Sequence, residues 1–345
     1  MPPGSRARRT VDKGAMRPVG KRVGGMLLAS ASLPGAVMAA AASGPPFAVV
    51  PTEPGMTATY QLRDGRQMPM FGLGVYVSRP GAETYNAVKW ALESGYRLVD
   101  TAMLYRNERS VGDAIRDSGI PRRDIWVTTK LWDDDHGYEA TLKACKRSLA
   151  ELGAGIDYLD LYLIHSPNTG KLVETWDALV ELRRQGLVRS IGVSNFNTQH
   201  LQALAEHGRE LPVVNQMEMH PLVHKERMPV LQYCLENQIL VQAYGSMFFG
   251  DKGWFKDRVV QDVVGAHLGK TAAQVLLRWG LQMGFALIPK STHQNRIREN
   301  AEIFDFELTE SEMRSLSSLQ GDLGAYWNPL DAPVHVGRLD RGGEL

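Results

Sequence analysis

The chain has 345 residues, 43% hydrophobic and 22% charged, which suits a globular protein of one large domain or two small ones. A formal net charge of +1 argues against a wholesale electrostatic role on nucleic acid or anionic lipid. Cys145 and Cys234 lie in helix-like apolar patterns and form neither a disulfide framework nor a zinc-site spacing.

Charge is unevenly spread. The first 55 residues carry seven Lys and Arg against two acids, leaving 32 basic and 36 acidic residues in the remainder. Lys21-Arg22 precedes an uncharged run over 23–43, rich in Ala, Gly and Ser. A basic stretch leading into an apolar one has the shape of a signal or transit peptide, with an unstructured extension as the alternative. Pro34 and the small residues make the run poor material for a membrane span. Residues 44–55 hold four prolines and read as a linker. Residues 1–55 are thus set apart as an extension, and residues 56–345 as the folded unit. The expected location is cytoplasmic, or an organelle if the extension is a targeting peptide.

The folded unit opens with TYQLRDGRQMPM (59–70), two short strands around Asp64-Gly65, a hairpin signal because Gly tolerates positive φ. Eight apolar strand candidates follow: FGLGVYV (71–77), YRLVDT (96–101), IWVTTKLW (125–132), YLDLYLIH (158–165), RSIGVSN (189–195), VVNQME (213–218), ILVQAY (239–244) and FALIPK (285–290). Helix-length segments separate them, such as ETYNAVKWALESG (83–95) and TAAQVLLRWGLQ (271–282), whose Trp279 is expected in the core with Trp176. A last helix begins at Thr309, three residues before Glu312, in capping-box spacing. Alternating strands and helices imply a parallel sheet. An open doubly wound sheet would carry a glycine fingerprint after its first strand, but Gly72 and Gly74 lack the third glycine. The pattern therefore predicts the α/β class and a closed (β/α)8 TIM barrel.

Barrel chemistry sits at the C-terminal ends of the strands. Those ends carry Asp100, Lys130, His165, Ser194-Asn195, Asn215-Gln216 and Lys290-Ser291. Tyr105 follows Asp100 by five residues, on a loop over the barrel mouth. A phenol is a poor acid at neutral pH, but a neighbouring ammonium favours the phenolate. Lys130 can be that ammonium, Asp100 its counter-ion, and His165 a group that orients a carbonyl oxygen. This is the equipment of carbonyl reduction, with hydride from a cofactor because no side chain supplies one. His220 and His224 flank Pro221 and do not form a helical metal pair. Asp133–Asp135 with His136 reads as a polar loop and helix start, and no metal is expected.

The stretches MFGLGVY (70–76), GYRLVDTAMLYRNERSVG (95–112), TTKLW (128–132), DLYLIHSP (160–167), GLVRSIGVSNF (186–196), VVNQMEMHP (213–221) and IPKST…RIREN (288–300) together resemble the aldo-keto reductase superfamily in order and spacing. The resemblance implies a barrel whose bottom is closed by the N-terminal β-hairpin. It implies Asp100, Tyr105, Lys130 and His165 as catalytic residues, with Tyr105 the proton donor. It further implies NADPH/NADP+ as cofactor. Ser194, Asn195 and Gln216 match residues that hold the nicotinamide carboxamide, and Tyr244 matches the aromatic stacked on that ring. Lys290, Ser291 and Arg296 match the group on the 2′-phosphate, and Glu299 and Asn300 match adenine contacts. Two cations and a hydroxyl beside a helix start suit a phosphate. Tyr76, Trp132, His165 and Ser166 match substrate-pocket positions.

The chain departs from the family in three places. Ser166 stands where a bulky apolar residue, often Trp, follows the catalytic His, which implies a wider or more polar pocket. Gly245 replaces a Ser in the segment after the seventh strand. The loop from Pro167 to Lys171 is short, implying an open site, and the variable tail from Tyr326 onward offers no motif. The leading expectation is an NADPH-dependent aldehyde or ketone reductase acting on a small-molecule carbonyl, without nucleic acid or membrane span, as a monomer. An NADPH-binding redox sensor or regulatory subunit is the alternative. A barrel hydrolase or isomerase is disfavoured, since paired catalytic acids and metal ligands are missing from the pattern.

Overall fold

The computed structural model of the chain describes residues 55–323 and 329–334. The extension over 1–54 and most of the tail after Tyr326 lie outside the described residues.

Strands β1 (Thr59–Gln61) and β2 (Gln67–Pro69) pair antiparallel, with Tyr60 opposite Met68. Gly65 takes φ 84° in the turn between them. Tyr60 and Met68 are buried, and polar contacts tie the hairpin to the barrel. Ser190 Oγ donates to Asp64 Oδ2 at 2.7 Å, and Arg66 Nε donates to the Arg189 carbonyl at 3.1 Å. Both contacts lie at the start of the fifth barrel strand, so the hairpin closes the bottom, opposite the strand ends that carry the polar residues.

The barrel strands are β3 (Leu73–Gly74), β4 (Leu98–Asp100), β5 (Trp126–Leu131), β6 (Leu159–Ile164), β7 (Val188–Ser194), β8 (Val214–Glu218), β9 (Leu240–Tyr244) and β10 (Ala286–Leu287). All pair parallel in chain order. Parallel bridges Phe71–Leu287 and Gly74–Lys290 join the first strand to the last and close the barrel. The seam is narrow because two glycines line it. A Cβ on Gly74 would sit 2.8 Å from the Ile288 carbonyl oxygen, and one on Gly72 2.8 Å from that of Leu98. The FGLG sequence is thus a closure device. The first and last strands are shorter than their apolar runs, and the chain reaches φ 52° at Val77, beyond the first.

Helices cross between strands: α1 (Ala82–Glu93), α2 (Glu108–Asp117), α3 (Tyr138–Leu152), α4 (Leu172–Arg184), α5 (Thr198–Glu206), α6 (Pro221–His224), α7 (Met228–Glu236), α8 (Arg258–Ala266), α9 (Ala272–Gln282), α10 (Gln294–Ala301) and α11 (Glu310–Ser317). The Thr309/Glu312 capping box starts α11 as its spacing predicts, and Thr271/Gln274 does the same for α9. Strands β5 and β6 are buried at every position, as a sheet covered on both faces requires. Trp176 and Trp279 are fully buried in the layer between helices and strands, and both cysteines are buried thiols. Among the described residues no helix is long and apolar enough to cross a membrane.

Candidate active site

Parallel strands in chain order deliver their C-terminal residues to one rim. Asp100 ends β4, Lys130 is the penultimate residue of β5, and His165 directly follows β6. Ser194 ends β7, with Asn195 next at φ 66°; Gln216 lies in β8 and Tyr244 ends β9. Tyr105 closes a short 3-10 turn, Met103–Tyr105, that brings its ring back over the barrel mouth.

The charged centre is compact and dry. Lys130 Nζ donates to Asp100 Oδ1 at 2.5 Å, to the Thr101 carbonyl at 2.9 Å and to Tyr105 Oη at 3.2 Å. Lys130 is fully buried and Asp100 nearly so. Burial pushes the Asp100 carboxyl up and the Lys130 amine down, each opposed by attraction to the other. Gln216 Nε2 completes the Asp100 shell at 2.8 Å. The His165 imidazole lies edge-on to Tyr105 and Trp132, with ring centroids 5.6 and 5.1 Å away. Burial holds it well below its usual range, reinforced by the Lys130 charge, so the ring is neutral at physiological pH. Its Nδ1 is buried without a hydrogen-bond partner.

One expectation is reversed. The ammonium beside Tyr105 was expected to make the phenol more acidic, yet the hydroxyl sits well above its ordinary range. Burial is the main cause and the Asp100 carboxylate adds to it. The Lys130 ammonium is paired with Asp100 at 2.5 Å, and its hydrogen bond to the phenol does not offset the burial. Before reaction, the site holds a protonated tyrosine.

The positions expected to hold a cofactor form a second arc of the same rim. Tyr244 Oη donates to Asn195 Oδ1 at 2.8 Å, Asn195 Nδ2 to the His165 carbonyl at 3.0 Å, and Ser194 Oγ to the Gln216 carbonyl at 2.9 Å. Lys290 lies just past β10, and Ser291 just before helix α10, whose first turn contains Arg296. Ser291 and Asn300 are buried and Arg296 is exposed. His293 caps α10 without a side-chain hydrogen bond, leaving first-turn N–H groups to meet an anion. Glu299 is otherwise engaged, since its carboxylate accepts from Thr271 Oγ1 at 2.7 Å. At Gly245, φ 66°, the Phe249 ring comes within 2.7 Å of where a Cβ would stand. This close approach is what the missing side chain permits.

The pocket wall differs from a purely aromatic one. Tyr76 packs on Tyr105 at 5.0 Å between ring centroids, and Trp132 is half-buried beside His165. Ser166 is fully buried and its Oγ donates to Asp133 Oδ1 at 2.5 Å. Two participants escaped the sequence reading. Gln242 accepts from Gln216 Nε2 at 2.7 Å inside the barrel, and Asp133 holds Ser166. A polar residue in the β9 run was the available signal for the first. His220 is bound to Glu218 at 2.8 Å and Glu218 to Arg227, away from any metal-like cluster among the described residues.

Fold and rim together define a (β/α)8-barrel enzyme. Its chain belongs to the aldo/keto reductase family, whose sequence model matches residues 72–320. It is 46% identical over 262 residues to the 9,11-endoperoxide prostaglandin H2 reductase of Trypanosoma cruzi (strain CL Brener), covering 76% of this chain and 91% of that one. Against the glyoxal reductase of Bacillus subtilis (strain 168) it is 43% identical over 272 residues, covering 79% and 96%. Among solved structures, a Bombyx mori aldo-keto reductase in complex with NADP superposes with a TM-score of 0.73 at 34% identity, covering 81% of this chain and 98% of that one. The family and its reductase relatives support carbonyl reduction as the reaction class.

Proposed function

We propose that the folded unit, residues 56–345, reduces aldehyde or ketone carbonyls to alcohols with NADPH, Tyr105 serving as general acid. The observation that carries this reading is the buried Asp100–Lys130 pair with Tyr105 Oη 3.2 Å from the ammonium. When bound, NADPH supplies the hydride that no side chain can. The chain supplies the rest. The substrate oxygen sits between Tyr105 Oη and His165; as the carbonyl carbon gains hydride, that oxygen takes the phenol proton. The raised Tyr105 value suits this step, because an alkoxide is far more basic than water and draws the proton only as charge develops. Lys130 then stabilises the phenolate left behind until solvent reprotonates it. Neutral His165 donates a hydrogen bond to the same oxygen.

Residues fitting the cofactor are Ser194, Asn195 and Gln216 for the carboxamide and Tyr244 for the ring face. Lys290, Ser291 and Arg296 suit the 2′-phosphate, with Asn300 near the adenine and Glu299 available once released from Thr271. The NADP complex of the Bombyx mori relative supports this preference. The glyoxal reductase of Bacillus subtilis supports a dicarbonyl substrate, and the Trypanosoma cruzi relative an endoperoxide.

The test is kinetic. Tyr105→Phe should lose about 10²–10⁴-fold in kcat while NADPH binding, followed by fluorescence, is retained. Wild-type kcat should show no inflection between about pH 6 and 9, since the phenol stays protonated and His165 neutral. Lys290→Ala/Arg296→Ala should weaken NADPH binding at least tenfold and leave NADH binding unchanged. Full turnover by Tyr105→Phe would end the proposal.

A further inference from the structure

Beside His165 lies a carboxylate, Asp133, that the reduction step does not use. Trp132 leads into a 3-10 turn, Asp133–Asp135, and Ser166 follows His165, so the two chain segments flanking the pocket meet at Asp133. Ser166 Oγ takes one carboxylate oxygen at 2.5 Å. The other, Oδ2, receives only a long bond from Asn168 at 3.4 Å. A carboxylate has about four acceptor sites, so capacity remains. Among the described residues no Lys or Arg pairs with Asp133; Arg147 is spent on Asp135 at 2.6 Å. Among the described residues its only ion-pair neighbour is His136, whose Nε2 lies 3.7 Å from Asp133 Oδ1, beyond hydrogen-bond reach. His136 is 4% exposed and that nitrogen is buried without a partner. The Asp133 side chain remains 16% exposed, next in the chain to the half-buried Trp132. A bulky apolar residue at position 166 could make no such bond, whereas Ser166 braces the carboxylate.

We propose that Asp133, held by Ser166, is a binding subsite for a hydroxyl on the carbonyl substrate, selecting neutral hydroxylated aldehydes and ketones over both apolar and anionic ones. The inference rests on the reductase reading and deepens it. An acceptor-only group with a spare oxygen rewards a donor, and an unpaired carboxylate repels another carboxylate. Hydroxyaldehydes, hydroxyketones and hydrated dicarbonyls present the required O–H next to the reacting carbon. Carbonyl compounds bearing a carboxylate there are excluded.

The experiment compares kcat/KM ratios of the full chain with NADPH, using glyceraldehyde against propanal and glyoxylate against acetaldehyde. A ratio cancels the fraction of active enzyme, so partial unfolding of a variant cannot mimic the effect. Asp133→Asn should lower the glyceraldehyde/propanal ratio about tenfold, through KM, since a charge-assisted hydrogen bond becomes a neutral one. The same variant should raise the glyoxylate/acetaldehyde ratio. Ser166→Ala, which frees the carboxylate to rotate, should lower the first ratio in the same direction. Turnover with both ratios unmoved overturns the subsite and leaves the reductase standing. A wild type that reduces no carbonyl overturns the reductase reading, and the subsite with it.

Discussion

Removing Lys130 should cost stability and activity for separable reasons. In Lys130→Met the Asp100 carboxylate, 2% exposed, keeps only Gln216 as a partner. At 2.5 Å the attraction between the two charges is roughly 7 kcal/mol with an effective dielectric near 20. Most of that offsets the desolvation of both ions, so the net contribution of the pair is small. Deleting one member leaves the other's desolvation uncompensated, and the expected loss is about 3–5 kcal/mol. Asp100→Asn/Lys130→Met removes both charges while keeping an acceptor for Gln216, and should recover most of that loss. Urea unfolding followed by tryptophan fluorescence and far-UV circular dichroism measures all three proteins. Turnover behaves differently: the double variant stays as inactive as Lys130→Met, because the phenolate has lost its ammonium. Equal stability of wild type and Lys130→Met would refute the uncompensated-charge argument. A double variant less stable than Lys130→Met would refute the compensation.

Two further outcomes follow from burial and close packing. Burial pushes His136 down from 6.5 to about 4, so the unfolded chain takes up this proton first as the pH falls. Its contribution is therefore complete above about pH 6.5 and is lost on the way down to about pH 4, a fall of roughly 3 kcal/mol that His136→Gln should abolish. Unfolding free energies of both proteins across that window measure it, and parallel curves would refute it. At Gly112, on α2, a Cβ would lie 1.7 Å from the Leu152 carbonyl oxygen at the end of α3. Backbone cannot yield as a side chain can, so Gly112→Ala should lose several kcal/mol in urea unfolding or fail to fold, at the upper end of single-substitution effects. An alanine variant as stable as wild type would contradict that packing.

Much of this protein could be read along the chain. Alternation of short apolar runs with amphipathic segments gave the eight strands and the order in which they pair, because parallel units joined by helices have few other solutions. Asp64-Gly65 announced the hairpin and Thr309 with Glu312 a helix start, since turns and caps are set by neighbours a few residues apart. Asp100, Lys130 and His165 were visible as ionisable groups ending buried strands. Short-range chemistry stopped at the places where distant segments meet. The close approach at the seam rests on Gly72 and Gly74 facing backbone from other strands. The upward shift of the Tyr105 phenol follows from how fully the barrel mouth is desolvated and from the Asp100 carboxylate. Asp133 meets the segment after His165 through a hydroxyl 33 residues away in the chain, and Glu299 is occupied by Thr271 at the start of another helix. Periodicity and turn residues encode elements locally. The burial of a charge and the identity of its partner depend on contacts across the barrel, and those exist only once it has closed.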